Sequence, residues 1–343
     1  MDNTLKAPFP YFGGKSKIAP LVWERLGDVP NYVEPFYGSG AVLLARPHAP
    51  HIETVNDLDG MVANFWRAVQ ADPDAVAHYA DWPVNENDLH ARHYWLVQQK
   101  ESLQARLEGD PDFYDAKIAG WWCWGMCCWI GGGFCAGKGP WRVVDGQLVH
   151  LGDAGRGVNR QLVHLRGTGR GVNRKLVHLG NAGKGVNCKS GGDGIYSWMR
   201  ALAERLRGVR VCSGDWARVC GHVPTEGNGL TGVFLDPPYA DSAKRDPDLY
   251  SVDSLDVAYA VREWAIANGD NPNMRIALCG YDGEHVMPDS WECLAWKARG
   301  GYGRRMGRGL ANAHKERIWF SPHCLRVTVQ TRLEEVNGDA TNV

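Results

Sequence analysis

The sequence has almost no net charge: 38 Lys and Arg against 39 Asp and Glu leave −1 over 343 residues, so no overall field argues for or against a polyanionic partner. It also lacks a leucine-rich apolar run. The uncharged stretch from Ile118 to Gly137 reaches the length of a membrane span, but Gly and Trp fill it where Leu, Ile and Val would be needed. Its first half, KIAGWWCWGMCCWI, is therefore read as a buried helix closed by Gly131 to Gly133, and a membrane role is excluded. The ten cysteines include no paired C-x-x-C spacing and no matching His pair, so the cluster Cys123, Cys127, Cys128 and Cys135 is read as core and no metal is expected. The first 25 residues show no long apolar core after a basic start. With that cysteine usage, a reducing cytoplasmic compartment is the expectation.

What is present is uneven. From Arg142 to Lys189 six Arg and three Lys face only Asp145 and Asp153, and from Arg299 to Arg317 five Arg and Lys315 face only Glu316. Two basic blocks on a mildly acidic body form a local footprint for a polyanion. The first block contains three near-copies of a 14-residue unit, QLVHLGDAGRGVNR, QLVHLRGTGRGVNR and KLVHLGNAGKGVNC, spanning 147 to 188. Each holds one extended segment, LVHL, and one glycine-rich turn, with Arg156, Arg170 and Lys184 in phase. His150, His164 and His178 also recur, but no acid or cysteine recurs with them, which argues against a metal array. A tandem duplication in a loop accounts for the pattern equally well.

Around the insertion, strands and helices alternate. NYVEPFYGSGAVLLARP reads as strand, glycine turn and helix, and HIETVNDLDG as a second strand ending at Asp57, with MVANFWRAVQ as the helix after it. Asp57 lies 17 residues after Gly40, near the spacing at which α/β nucleotide sites place an acid on a ribose. Residues 85 to 130 read as amphipathic helices. WMRALAERLRG is another helix, and VRVCSGDW is a strand ending at Asp215 and Trp216. SLDVAYAVREWAIANG reads as a helix capped by Ser254 and closed at Gly269, MRIALCGY as a strand, and ERIWF with LRVTVQTRL as a closing hairpin. The whole predicts a mostly parallel α/β sheet with ligands at the carboxyl ends of its strands.

The most telling stretch is TGVFLDPPY, 231 to 239. A short apolar strand ends in Asp236, and Pro237 and Pro238 fix φ and hold the neighbouring carbonyls as acceptors. Tyr239 adds a flat ring. A planar ligand carrying an amino group fits such a place, and a nucleobase is the clearest example.

Together these residues resemble the Dam-like family of DNA N6-adenine methyltransferases, phage-type members in particular, over nearly the whole chain. PYFGGKSKIAP resembles the family's amino-terminal cofactor motif, EPFYGSG its glycine loop, NDLD its ribose-binding acid and DPPY its catalytic motif; ERIWFSPHC also resembles phage members. The tandem repeat departs from the family pattern. The resemblance implies a Rossmann-like class I methyltransferase sheet formed by 1–80 and 196–335, with 81–195 an inserted helical and Gly/Arg-rich target-recognition region. S-adenosylmethionine would lie along Tyr11, Phe12, Gly13, Gly14 and Lys15 and along Glu34, Pro35, Phe36, Gly38, Ser39 and Gly40. Asp57 would hold its ribose, with Asp215 and Trp216 near its adenine. Asp236, Pro237, Pro238 and Tyr239 would act on an adenine flipped out of double-stranded DNA, with Asp236 and the Pro237 carbonyl accepting from N6 and no metal involved. Arg156, Arg170, Lys184, Arg304 and Arg305 would contact the DNA. An N4-cytosine methyltransferase, a nicotinamide-dependent dehydrogenase and a non-catalytic nucleic-acid binder remain as alternatives.

Overall fold

The structure, a computed structural model, describes residues 5–11, 13–129, 134–135, 141–144, 147–150, 194–238, 256–296 and 315–326, with 141–144 and 147–150 given by backbone alone. Its centre is a seven-stranded sheet formed by β1 (Asn31–Glu34), β2 (Ile52–Asp57), β5 (Val209–Ser213), β6 (Thr231–Leu235), β7 (Met274–Tyr281), β8 (Glu292–Ala295) and β9 (Glu316–Phe320), in the order β5-β2-β1-β6-β7-β9-β8. The first five in that order are parallel; β9 runs antiparallel to β7, and β8 antiparallel to β9. Every residue of β1 and β6 is buried, as expected for central strands of a parallel sheet covered on both faces. β8, at the edge, is mostly exposed.

Helices α1 (Ala19–Leu26), α2 (Ala41–Leu44), α3 (Gly60–Ala71), α4 (Pro73–Ala80), α5 (Glu86–Gly109), α6 (Ala116–Cys128) and α7 (Gly194–Leu206) contribute to one core. α9 (Val257–Asn268) packs with Ile276, Leu278 and Trp319 in a second. Between β5 and β6 lies the short α8 (His222–Glu226). The expected KIAGWWCWGMCCWI helix is α6, which packs along α3 and α4 and ends at Cys128 with Trp129 extended. Cys123, Cys127, Cys128 and Cys135 are free and buried among its neighbours. No helix among the described residues is long and apolar enough to cross a membrane.

Three expectations change in detail. ERIWF is β9, and its antiparallel neighbours are β8 and β7; residues 327–333 of LRVTVQTRL, the expected hairpin partner, lie outside the described residues. β8 was not foreseen, because WECLAW mixes an acid with apolar residues over too few positions to show a period. The N-cap position of α9 belongs to Asp256, whose side chain makes no capping bond; Ser254 lies outside the described residues. β5 stops at Ser213, and Asp215 instead caps the 3₁₀ turn Trp216–Arg218 by accepting from the Ala217 N–H. Of the repeats, Gln147–His150 forms β4, paired antiparallel with β3 (Trp141–Val144), in keeping with an extended segment at the start of the first copy.

The chain on either side of the insertion is joined by a buried carboxylate. Glu53 on β2 is 1% exposed, and its oxygens accept from Arg46 Nη1 at 3.1 Å and from Arg205 Nη1 and Nη2 at 2.7 and 2.9 Å. Arg46 also donates to the Val29 carbonyl, and Arg205 on α7 to that of Leu43. Each cation is thereby given several acceptors, which buried charge requires. Glu53→Ala takes from Arg46 its buried carboxylate partner, leaving it the Val29 carbonyl and a 3.4 Å contact with the exposed Asp28, and should cost about 3–5 kcal/mol in denaturant unfolding. A loss below about 1 kcal/mol would contradict this account of the junction.

Candidate functional site

At the carboxyl edge of β5, β2, β1 and β6 the loops surround a cleft of about 960 Å³, its open mouth included. The glycine turn after β1 forms one wall. Gly38 has φ +48°, and a Cβ there would meet the Tyr11 ring at 2.5 Å; Gly40 has φ +62°, and a Cβ would meet the Tyr37 ring at 2.6 Å. Both positions therefore need glycine for conformation and for space. The turn is tied down by the Trp66 indole N–H, which donates to the Gly38 carbonyl at 2.9 Å.

Asp57 closes the end of β2. One of its oxygens accepts from the Gly38 N–H at 2.8 Å and the other from the Asp59 N–H at 2.9 Å. Burial, and then the neighbouring Asp59 charge, push this carboxyl up to about 7, against the two backbone bonds that favour its ionised form. Next to it, Asn56 is buried and donates to the carbonyls of Pro35 and Gly214 at 3.1 and 2.9 Å, fastening the ends of β1, β2 and β5 together. Phe36 and Trp216 both line the cleft and stack with each other, centroids 6.3 Å apart and planes 28° from parallel, giving it an aromatic wall.

The other end of the cleft is charged. Lys15 is 4% exposed; its Nζ lies 2.8 Å from Asp236 Oδ2 and donates to the Gly13 carbonyl at 2.7 Å. The amino-terminal motif is thus brought directly onto the residue that follows β6. Glu34, buried at the end of β1, accepts from the Tyr32 hydroxyl at 2.9 Å. Burial holds its carboxyl well above the usual range, with the Asp236 charge adding to the effect and the Tyr32 and Leu43 bonds opposing it.

Most of the residues singled out in the sequence line this one cleft: Tyr11, Gly13, Gly14 and Lys15; Glu34, Pro35 and Phe36; Gly38 and Ser39; Asp57, Asp215, Trp216, Asp236 and Pro238. Gly40 and Pro237 do not line it; Gly40 turns the chain into α2, and Pro237 is buried behind Asp236. Phe12, Tyr239, Arg156, Arg170, Lys184, Arg304 and Arg305 lie outside the described residues. Asn56, Leu58, Asp59, Phe234 and Val257 also line the cleft and were not foreseen. Asn56, Leu58 and Asp59 fall within the quoted NDLD, of which only Asp57 was singled out; Phe234 and Val257 carried no signal.

A seven-stranded, mostly parallel sheet with a glycine turn and two acids at its carboxyl edge has the Rossmann-like methyltransferase fold. Residues 11–108 match the family model of the D12 class N6 adenine-specific DNA methyltransferases. That segment is thus similar to a family of transferases that methylate adenine in DNA. A search of curated proteins found no match. The matched segment includes Lys15, the glycine turn and Asp57, and ends before Asp236.

The raised Asp57 carboxyl has a measurable consequence. In the folded chain it keeps its proton up to about pH 7, and in the unfolded chain only up to its ordinary value of 3.8. The folded state therefore holds more protons between these values, and stability falls as pH rises through that window. Asp57→Asn cannot ionise, so its melting temperature should gain on wild type between pH 5 and pH 8. A difference independent of pH would contradict the assignment.

Proposed function

We propose that the protein transfers a methyl group from S-adenosylmethionine to the N6 amine of an adenine extruded from double-stranded DNA. The observation that carries this reading is the joining of Asp236 to Lys15 at one end of a cleft whose other end holds Asp57 and the Phe36–Trp216 pair.

The residues present suit the cofactor. Asp57, when ionised, accepts hydrogen bonds from ribose hydroxyls, Phe36 and Trp216 offer ring faces to an adenine, and glycines 38 and 40 leave space that side chains would fill. When bound, S-adenosylmethionine supplies an electrophilic methyl group. On the substrate side, Asp236 and the Pro237 carbonyl accept the hydrogens of the target amine and draw its lone pair out of conjugation, while Tyr239 stacks on the base. Lys15 pairs with the Asp236 carboxylate and orients it, so that the acceptor is in place before the base arrives. Catalysis is orientation and electrostatics without a covalent enzyme intermediate.

Residues 1–80 and 196–335 form the catalytic part in this reading, and 81–195 the target-recognition region. Arg156, Arg170 and Lys184 in the repeats and Arg304 and Arg305 near the carboxyl end contact phosphates, a role that fits their clustering. The test is mass spectrometry of nucleosides from unmethylated DNA incubated with the protein and labelled S-adenosylmethionine. Labelled N6-methyladenine is expected. Labelled N4-methylcytosine would move the target to the other exocyclic amine, and no labelled nucleoside would overturn the reading.

A further inference from the structure

The catalytic face of the sheet carries one large aromatic side chain that the cofactor cleft does not use. β8 ends at Ala295, but the Trp296 N–H still donates to the Glu316 carbonyl at 3.1 Å, so the ladder with β9 fixes Trp296 at the sheet's carboxyl edge. Side chains alternate along a strand, which puts Trp296 on the same face as Leu294. Both pack against the core that includes Cys279 and Ile318, and Cys279 follows Leu278, the partner of Leu235 immediately before Asp236. Trp296 and Asp236 therefore share a face and an edge.

The indole stands next to the charged end of the site. Lys15 Nζ lies over the Trp296 ring at 5.8 Å from its centroid and 2.8 Å from Asp236 Oδ2. Trp296 is not among the residues lining the cleft. In the strand order it lies beyond β6, on the opposite side from β1, β2 and β5, which carry the glycine turn, Asp57 and Trp216. A base presenting its amine to Asp236 from the side away from the cofactor would meet this indole. Two features leave it available. An ammonium at 5.8 Å is at the outer limit of a cation–π contact, so the ring face is only loosely engaged. The indole N–H is buried and has no hydrogen-bond partner among the described residues, an unmet donor of the kind that a ligand acceptor satisfies.

Resting on the adenine-methyltransferase reading above, we propose that Trp296 forms a wall of the target-base site and donates its N–H to a ring nitrogen beside the reacting amine. Adenine carries such an acceptor on each side of its amino group. With the amine hydrogens taken by Asp236, a donor placed just beyond Lys15 meets one of them.

The test compares Trp296→Phe, which keeps a ring and loses the donor, with Trp296→Ala, using methyl transfer to unmethylated duplex DNA, cofactor affinity by calorimetry and melting temperature. Loss of one neutral hydrogen bond predicts a roughly tenfold lower kcat for Trp296→Phe. Its cofactor Kd and melting temperature should be unchanged, a split that a purely structural role would not produce. Trp296→Ala should lose about 100-fold or more, since the ring is lost as well. If wild type methylates DNA and Trp296→Phe does so at the wild-type kcat, the proposal falls alone; it falls equally if kcat drops only together with melting temperature. If wild type transfers no methyl group, the reading beneath it falls too. Should Trp296→Ala fail to fold, Trp296→Phe decides.

Discussion

The ion pair between Lys15 and Asp236 is the contact on which the rest of the site depends. A buried ammonium is tolerated only with acceptors at close range, and Lys15 has the Asp236 carboxylate and the Gly13 carbonyl. These two requirements fix the amino-terminal motif against the end of β6, more than two hundred residues later in the chain. They also place the Asp236 carboxylate at the same edge as Glu34, whose carboxyl burial raises well above the usual range. Two acids at the same edge thus have different surroundings: Asp236 is paired with a cation, and Glu34 is desolvated with the Tyr32 hydroxyl as its donor.

The remainder of the edge is organised by polar groups that would be costly if unmatched. Asn56 spends its amide hydrogens on two carbonyls from neighbouring loops, and Asp57 spends one oxygen on the Gly38 N–H of the turn it faces and the other on the Asp59 N–H of its own loop. The glycine turn is consequently rigid before any ligand arrives, which lowers the ordering cost of binding. Further back, the carboxylate of Glu53 joins β2 to α7 through two arginines, tying together segments about 150 residues apart in the chain.

Much of this was legible in the sequence where the signal is local. β6 is a short apolar run bounded by turn residues and β2 a strand ending in polar residues, and Asp57 and Asp236 stand at their carboxyl ends as the pattern implied. The order β5-β2-β1-β6-β7 follows from alternating strands and helices only in class, and the pairing of β9 with β8 was hidden because β8 is four residues long and largely exposed. The partners of Lys15, Asn56 and Glu53 were illegible for a different reason: each bond joins positions far apart in the chain, and nothing in either local segment names the other. Trp296 belongs to this group, since its importance comes from where the β9 ladder places it.

The central claim is that Asp236 acts on the target amine while Asp57 and the aromatic pair act on the cofactor. It is tested most directly by Asp236→Ala, with cofactor affinity measured by calorimetry beside methyl transfer to DNA. The account predicts that transfer is abolished while cofactor binding stays close to wild type. A variant that retains most of its turnover, or one whose cofactor binding is lost along with transfer, would contradict it.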